Sequence, residues 1–381
     1  MSVIKSVALI GLLLSIFTGL MPAGENNYMN VYVGTYMRMA ERGIFMFKLN
    51  FETGEAGEVE LAGKAINPSF LAIHQNHKYL YAVNEISSFK KAKTGAVSSF
   101  AIDPVSGKLN ELNQQPSGGE VPCHLVVDPS GKNVLLASYT GGSIEVLPIE
   151  ADGKMGEPTC VIKHKDPENK GRASHCHSIN LDMTGKFAFV ADLGLDRVFL
   201  YKFDAEKGVL TPNDPAALVL ASGAGPRHFA WHTSRKFAYV INELNSTITA
   251  VSFDAEKGTL AEIQTLSTLP EGFTGKSYCA EVVVHPSGKF LYGSNRGHDS
   301  IAIFGVDEAT GKLKLLGHEP TQGKVPRNFA LDPSGKYLLA ANQDSNNIVI
   351  FRIDEATGLL KSTGQKIKVS APACIKFLSS N

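Results

Sequence analysis

A short turn motif recurs seven times along the 381-residue chain, at intervals averaging about 51 residues. Each copy follows an apolar run with an acidic residue or asparagine, and a glycine comes three or four residues later. The copies lie at 50–54, 103–107, 150–153, 204–208, 254–258, 307–311 and 354–358. An Asp or Asn side chain caps such a turn, and glycine readily takes the left-handed conformation before a returning strand. The motif therefore predicts seven β-hairpin loops.

A second motif alternates with the first and consists of His or Asp, then Pro-Ser-Gly-Lys, then a strand-like segment. Clear copies lie at 128–132, 182–186, 285–289 and 332–336, and degenerate copies at 74–78 and 232–236. Apolar residues at every second position, bounded by turn residues, are typical of β-strands. Beyond the N-terminal region no segment has a helical period, so the sequence predicts an all-β fold.

Four strands in each repeat of about 40–50 residues are typical of a β-propeller. The sequence thus predicts one seven-bladed β-propeller of four-stranded antiparallel blades over residues 25–381. Residues 30–34 match the second strand of a repeat that has no first strand, and residues 372–377 match a first strand with nothing after it. The C-terminal strand is therefore predicted to pair into the N-terminal blade, which closes the ring and removes its exposed edges.

Residues 1–24 have the pattern of an export signal. Lys5 precedes an uncharged, mostly apolar run over 7–20, which is shorter than the roughly 20 residues of a membrane-spanning helix. Cleavage near Ala23 would give a periplasmic or secreted protein with no stable membrane insertion. An uncleaved anchor is one alternative, and a start at Met29, which would leave the protein in the cytoplasm, is another.

The composition narrows the class of protein further. Lys and Arg together number 37 and Asp and Glu together number 37, whereas a nucleic-acid-binding protein normally carries a basic excess. The five cysteines contain no CxxC pair, which argues against a disulfide framework or a zinc ribbon. We expect them to be small buried apolar side chains, with a single disulfide bond as the alternative. We expect a monomer that needs no cofactor or metal.

Polar residues from several repeats are predicted to meet at one end of the central channel. The innermost strands begin near 121–124, 174–177, 225–228, 278–281 and 325–328, and the loops after the second strands begin at 84–85, 192–193, 242–243, 295–298 and 342–343. These positions share one face of the ring and are rich in His, Arg and Glu. Such convergence predicts a binding site, the alternative being the polar rim of any propeller channel.

At these residues the chain resembles the lactonase family of seven-bladed propellers, which includes bacterial 6-phosphogluconolactonases and fungal muconate-lactonizing enzymes. The matching stretches are 30–36, 174–178, 190–194, 225–228, 242–243, 280–282 and 294–300. The resemblance implies a metal-independent hydrolase of a small-molecule sugar lactone. The catalytic residues that it implies are His177, Arg227, Glu243 and Arg296. Further candidates for substrate binding are His175, His124, His228, Glu281 and His298.

The residue types fit lactone hydrolysis. His177, with an ordinary pKa near ~6.5, is a candidate general base for water. Arg227 and Arg296 are candidates to stabilise an oxyanion or to bind a substrate anion, with Glu243 orienting one of these groups. Three hypotheses stay open: a 6-phosphogluconolactonase-like enzyme, a lactonase for a non-phosphorylated sugar lactone, and a non-catalytic exported propeller that binds a partner or glycan.

Overall fold

The computed structural model describes residues 27–36, 43–166, 168 and 171–378, and within these ranges the chain forms 28 strands and no helix. In chain order the strands are β1 (Tyr28–Thr35), β2 (Ile44–Asn50), β3 (Glu60–Gly63), β4 (Leu71–Ile73), β5 (Tyr79–Asn84), β6 (Ala96–Ile102), β7 (Leu109–Pro116), β8 (Pro122–Val127), β9 (Asn133–Ser138), β10 (Ser143–Pro148), β11 (Cys160–Lys163), β12 (Cys176–Leu181), β13 (Phe187–Asp192), β14 (Arg197–Asp204), β15 (Val209–Val219), β16 (Pro226–Trp231), β17 (Phe237–Asn242), β18 (Thr247–Asp254), β19 (Thr259–Ser267), β20 (Tyr278–Val284), β21 (Phe290–Arg296), β22 (Ser300–Val306), β23 (Leu313–Pro320), β24 (Pro326–Leu331), β25 (Tyr337–Asn342), β26 (Asn347–Ile353), β27 (Leu360–Lys368) and β28 (Pro372–Leu378).

The strands form seven four-stranded antiparallel sheets, which are the blades of a propeller. Blades 2 to 7 each use four consecutive strands, from β4–β7 to β24–β27, whereas blade 1 has the order β28, β1, β2, β3. The inner strands β4, β8, β12, β16, β20, β24 and β28 each contact the next one, and β28 contacts β4, so the ring is closed. The predicted all-β, seven-bladed architecture is confirmed.

Closure depends on the C-terminal strand, as predicted. Strand β28 pairs antiparallel with β1, so that Val31 lies opposite Phe377 and Val33 opposite Ile375. Both Val33 and Ile375 are buried in an apolar cluster that also includes Leu339 of blade 7. The two ends of the chain therefore share one core.

The seven predicted hairpin loops connect the third and fourth strands of the blades, and their glycines have φ between 63° and 84°. In the fifth blade the Asp254 carboxylate accepts hydrogen bonds from the backbone N–H groups of Glu256 and Lys257, each at 3.0 Å. Each loop also links two blades. For example, the Tyr239 hydroxyl donates to the Gly311 carbonyl of the next blade at 3.1 Å. The turn motif thus sets both the hairpin and the contact between neighbouring blades.

Most apolar residues of the three inner strands of each blade are buried between adjacent blades, as alternation predicts, whereas outer strands also carry exposed ones such as Val161 and Val219. All five cysteines are free thiols, and only Cys160 is not fully buried. In the part of the chain that the structure describes, no helix is long and apolar enough to cross a bilayer. The predicted export signal at 1–24 lies outside the described residues.

Candidate active site

The inner strands carry a bulge at the positions that supply the channel-mouth side chains. Pairing with the second strand shifts register within β8, β12, β16 and β24, as it also does in β20. The residues left between the paired positions are Cys123 in β8, His177 in β12, Arg227 in β16 and Arg327 in β24. A bulge adds one residue to a strand and re-aims its side chain. Four blades therefore present a residue at the same point of the ring.

Arg227, Glu243 and Arg296 form one ion-pair cluster. Glu243 Oε2 lies 2.9 Å from Arg227 Nε and 2.7 Å from Arg296 Nη2. The approach to Arg227 Nε is close but outside hydrogen-bond geometry. Both arginines also donate to backbone carbonyls of blade 6, Arg227 Nη1 to Ala280 at 2.6 Å and Arg296 Nη2 to Cys279 at 2.8 Å. The guanidinium groups are thus held from two sides.

The cluster carries net positive charge at neutral pH. Burial, together with the charges of Arg296 and Arg327, lowers the pKa of Arg227 to about 9, which still leaves it protonated. Burial by itself would raise the pKa of Glu243, but the three arginines hold it below its ordinary value. Glu243 is therefore a carboxylate, and the arginines outnumber it.

His177 lies beside this cluster and is almost fully buried, with 4% of its surface exposed. Its ring centroid is 5.3 Å from that of His228 and 5.6 Å from that of Tyr139. Burial, followed by the charge of Arg227, lowers the pKa of His177 well below 6.5. The expectation of an ordinary pKa was wrong, because burial and positive neighbours both disfavour the imidazolium. His177 is neutral at physiological pH.

Three of the further candidates form a layer next to the arginines. His228 Nδ1 lies 2.9 Å from Glu281 Oε1, and Asn328 Nδ2 donates to Glu281 Oε2 at 2.5 Å. The His124 ring lies 5.3 Å from that of His228, whose Nε2 is 3.3 Å from Arg227 Nη1. His124, Glu281 and Asn328 also line a cavity of about 570 Å³. This layer connects the cluster to the channel.

The other two candidates lie elsewhere. His175 stacks on Tyr139 with ring centroids 4.5 Å apart, and it borders a separate cavity of about 550 Å³. His298 contacts Phe273, Ser300 and His318 within blade 6. Because His318 belongs to the outer strand β23, these contacts place His298 on the outer side of the blade. The structure does not bring it into the arginine cluster.

Two further charged residues, Arg327 and Glu85, lie at the channel mouth, and no role was predicted for either from the sequence. Arg327 Nη2 lies 4.0 Å from Glu85 Oε2, and the Arg327 guanidinium lies 5.2 Å from the ring centroid of Tyr36. A signal for both was present, because Pro-Arg recurs at 226–227 and 326–327 and Asn-Glu recurs at 84–85 and 242–243. In these dipeptides Arg327 corresponds to Arg227, and Glu85 corresponds to Glu243 of blade 5.

Among the described residues, one group has the geometry to hold a metal ion: His164, Cys176 and Asp192, all buried. His164 Nδ1 lies 2.9 Å from Asp192 Oδ2, and His164 Nε2 lies 2.9 Å from the Tyr201 hydroxyl. Burial raises the pKa of the Cys176 thiol well above its usual range, so the thiol is neutral. Asp192 Oδ1 accepts from the His175 N–H at 2.9 Å. The group therefore acts as a hydrogen-bond network that holds the start of β12, which carries His177.

Fold and site together define a propeller with a buried, cationic cluster at one end of its channel. The family model described as "Lactonase, 7-bladed beta-propeller" matches residues 30–377, and the chain belongs to this family.

Several known proteins that are similar to this chain are named as lactonases. A 6-phosphogluconolactonase of Bacillus subtilis is 36% identical over 349 residues, which cover 91% of this chain and 97% of that protein. One from Pectobacterium carotovorum is 36% identical over 274 residues, covering 72% and 76%. The solved structure of a periplasmic gluconolactonase of Pseudomonas aeruginosa is 30% identical with a TM-score of 0.86, covering 93% of this chain and 100% of that one.

Proposed function

We propose that the protein hydrolyses a sugar lactone in the manner of a 6-phosphogluconolactonase, converting 6-phosphoglucono-1,5-lactone to 6-phosphogluconate, at the cluster of His177, Arg227, Glu243 and Arg296. The observation that carries the proposal is the shared Glu243 carboxylate, which holds two arginines at 2.9 and 2.7 Å beside a neutral imidazole. The names of the similar proteins support a sugar lactone as substrate.

In the first step, neutral His177 accepts a proton from water as the water oxygen bonds to the lactone carbonyl carbon. The π electron pair of the carbonyl moves onto its oxygen. Arg227 and Arg296 stabilise this oxyanion because they are pre-oriented in a site with little water, where charge interactions are strong. Glu243 positions both guanidinium groups and balances part of their charge.

In the second step, the tetrahedral intermediate collapses and the bond to the ring oxygen breaks. The imidazolium returns its proton to that oxygen, which becomes a hydroxyl group. The new carboxyl group then loses a proton to solvent, so that each turnover releases one proton. The lowered pKa of His177 favours this return of the proton, because its imidazolium is a stronger acid than that of an ordinary histidine.

Proton release therefore provides the assay. The purified protein is mixed with freshly prepared 6-phosphoglucono-1,5-lactone or glucono-1,5-lactone in a weak buffer, and acid release is compared with the spontaneous rate. Arg352→Ala is a matched control, because Arg352 is exposed on strand β26, outside the cluster. We expect acceleration by the native and control proteins and a large loss in Arg227→Ala. No acceleration with either lactone contradicts the proposal and favours a non-catalytic propeller that binds a partner or glycan.

We further propose that the enzyme acts in the periplasm or outside the cell. The pattern of residues 1–24 supports export, and one similar protein is named as periplasmic. Cell fractionation followed by N-terminal sequencing of the mature protein tests this. A cytoplasmic protein that retains residue 2 contradicts it.

A further inference from the structure

Arg327 lies farther from a carboxylate partner than the two arginines of the cluster do. Arg227 and Arg296 each contact Glu243 within 3 Å and donate to a backbone carbonyl. Within the described residues the Arg327 guanidinium makes no hydrogen bond, and the nearest carboxylate oxygen, Glu85 Oε2, lies 4.0 Å away. No acceptor in the described part of the chain therefore occupies its donors.

Glu85 is already occupied by other partners. Ser69 Oγ donates to the same Oε2 atom, and Tyr36 also hydrogen-bonds to this carboxyl group. Burial raises the pKa of Glu85, with the charge of Arg327 opposing the shift only in part. Glu85 thus compensates Arg327 less completely than Glu243 compensates its two partners.

The position of Arg327 is built into the fold. It occupies the bulge of β24 that corresponds to the Arg227 bulge of β16. Its guanidinium lies over the Tyr36 ring at 5.2 Å, which restrains the side chain without using its N–H donors. Only 18% of the side chain is exposed. A planar group with five donors, fixed in this way, suits a phosphate or carboxylate.

Arg327 occupies the same bulge position of its inner strand as Arg227, at the same end of the channel as the cluster. Its charge contributes to the lowered pKa values of His177, Arg227 and Arg296, which surround the proposed reaction centre. Of these arginine charges, that of Arg327 is matched at the longest distance, 4.0 Å to Glu85, so it is the one best placed to attract an anionic group besides the reacting carbonyl.

We propose that Arg327 is a specificity residue that binds an anionic substituent of the lactone, remote from the carbonyl that is attacked. This inference rests on the proposed function. In this proposal Arg227 and Arg296 stabilise the oxyanion at the reacting carbonyl, and Arg327 binds the anionic substituent of the lactone.

The test compares 6-phosphoglucono-1,5-lactone with glucono-1,5-lactone for the native protein, Arg327→Ala, Arg327→Lys and the control Arg352→Ala. A charge-assisted, bidentate contact predicts a 10- to 100-fold loss of kcat/KM in Arg327→Ala with the phosphorylated lactone, mainly through KM. The loss with the neutral lactone is expected to be at least tenfold smaller. Arg327→Lys restores part of the difference, because it keeps the charge but not the planar fork. Equal losses with both lactones, or no loss, overturn the proposal.

Binding separates this proposal from the proposed function. Calorimetry with 6-phosphogluconate, gluconate and inorganic phosphate requires no turnover. We expect the native protein to bind 6-phosphogluconate more tightly than gluconate. In Arg327→Ala the ratio of the two dissociation constants should fall at least tenfold. If neither lactone is hydrolysed but this difference is found, the proposed function fails and the anion site stands. Failure of the native protein to prefer the phosphorylated acid overturns the anion site, whatever the hydrolysis assay shows.

Discussion

Glu243 Oε2 lies 2.7 Å from Arg296 Nη2, and through the same oxygen atom Glu243 also approaches Arg227. Glu243 is on the loop after β17 in blade 5, whereas Arg296 ends β21 in blade 6. The ion pair thus joins two blades at the channel mouth. Because Arg227 is 2% exposed, the cluster is part of the packed interior rather than the loosely solvated rim that a propeller channel would otherwise show.

This burial predicts that changes to the cluster affect both activity and folding. Glu243→Gln removes the charge partner of two arginines, and breaking a largely buried pair costs about 3 kcal/mol. Arg227→Ala also removes a donor to the oxyanion, so we expect kcat to fall by about 10²–10³-fold. Lactone kinetics and thermal unfolding measure the two effects. Unchanged kcat in folded Arg227→Ala protein contradicts the assignment.

The pH dependence of hydrolysis tests His177. Burial and the charge of Arg227 hold the pKa of His177 well below 6.5, so the imidazole is still neutral at pH 6.5, and a general base must be neutral to act. We expect kcat/KM, corrected for spontaneous opening, to stay flat from neutral pH down through 6.5 and to fall only in more acidic buffer. His177→Gln should remove that acidic limb. A limb centred at 6.5 in the native enzyme contradicts the neutral, buried state.

Glu145 predicts a pH dependence of stability that is unrelated to catalysis. Its carboxyl group is fully buried in blade 3 next to Ser143 and Ser138, and burial raises its pKa to about 8 from 4.5. A raised acid pKa favours the protonated folded state. Its contribution is therefore complete below pH 4.5 and is lost as the pH rises to about 8, by roughly 1.4 kcal/mol for each pH unit.

The variant Glu145→Gln keeps the shape without the ionisation. Denaturant unfolding of this variant should show a smaller loss of stability between pH 5 and 8 than the native protein. At pH 8.5 the variant should be the more stable of the two. Parallel stability curves for the two proteins contradict this prediction.

Strand β28 predicts a severe effect of truncation at the C-terminus. Removal of residues from 372 onward leaves β1 without its inner partner and opens the ring between β24 and β4. We expect loss of cooperative unfolding and aggregation through the exposed edge. The control is a chain that lacks residues 1–24, which should fold and remain soluble. A cooperative transition in the chain ending at 371 contradicts this role of β28.

The left-handed backbone conformation of Val325 and Val121 leads us to expect a stabilising substitution next to the site. Each precedes the proline that begins an inner strand, and φ is 58° and 59°, respectively. A β-branched residue is strained in this conformation by about 1–3 kcal/mol, whereas glycine is not. Val325→Gly should therefore raise the free energy of unfolding by about 1 kcal/mol. Val349→Gly in the buried part of β26 is the control and should be strongly destabilising. A loss of stability in Val325→Gly contradicts the strain.

The sequence by itself determined the number of blades and the closure of the ring. The blade number depends on interactions between residues close together in the chain, such as Asp254 capping the turn that ends at Gly258. Closure was predicted because the first repeat lacks a first strand and the last residues supply one, although the pairing itself joins the two ends of the chain. Turn chemistry and strand alternation are local, so they appear directly as motifs. The channel-mouth positions of Arg227 and Glu243 followed from the same repeat.

Only the tertiary structure decided which of those side chains meet and in what ionisation state. Arg327 faces Glu85 from across the closure of the ring, and His177 is enclosed by residues of other blades, which lowers its pKa. His298 shares the loop start of Arg296 and yet turns to His318. Pro-Arg recurs at the bulges of Arg227 and Arg327, but the dipeptide does not show which carboxylate each arginine meets. Burial, charge and side-chain direction depend on contacts between distant segments, and these exist only once the ring has closed.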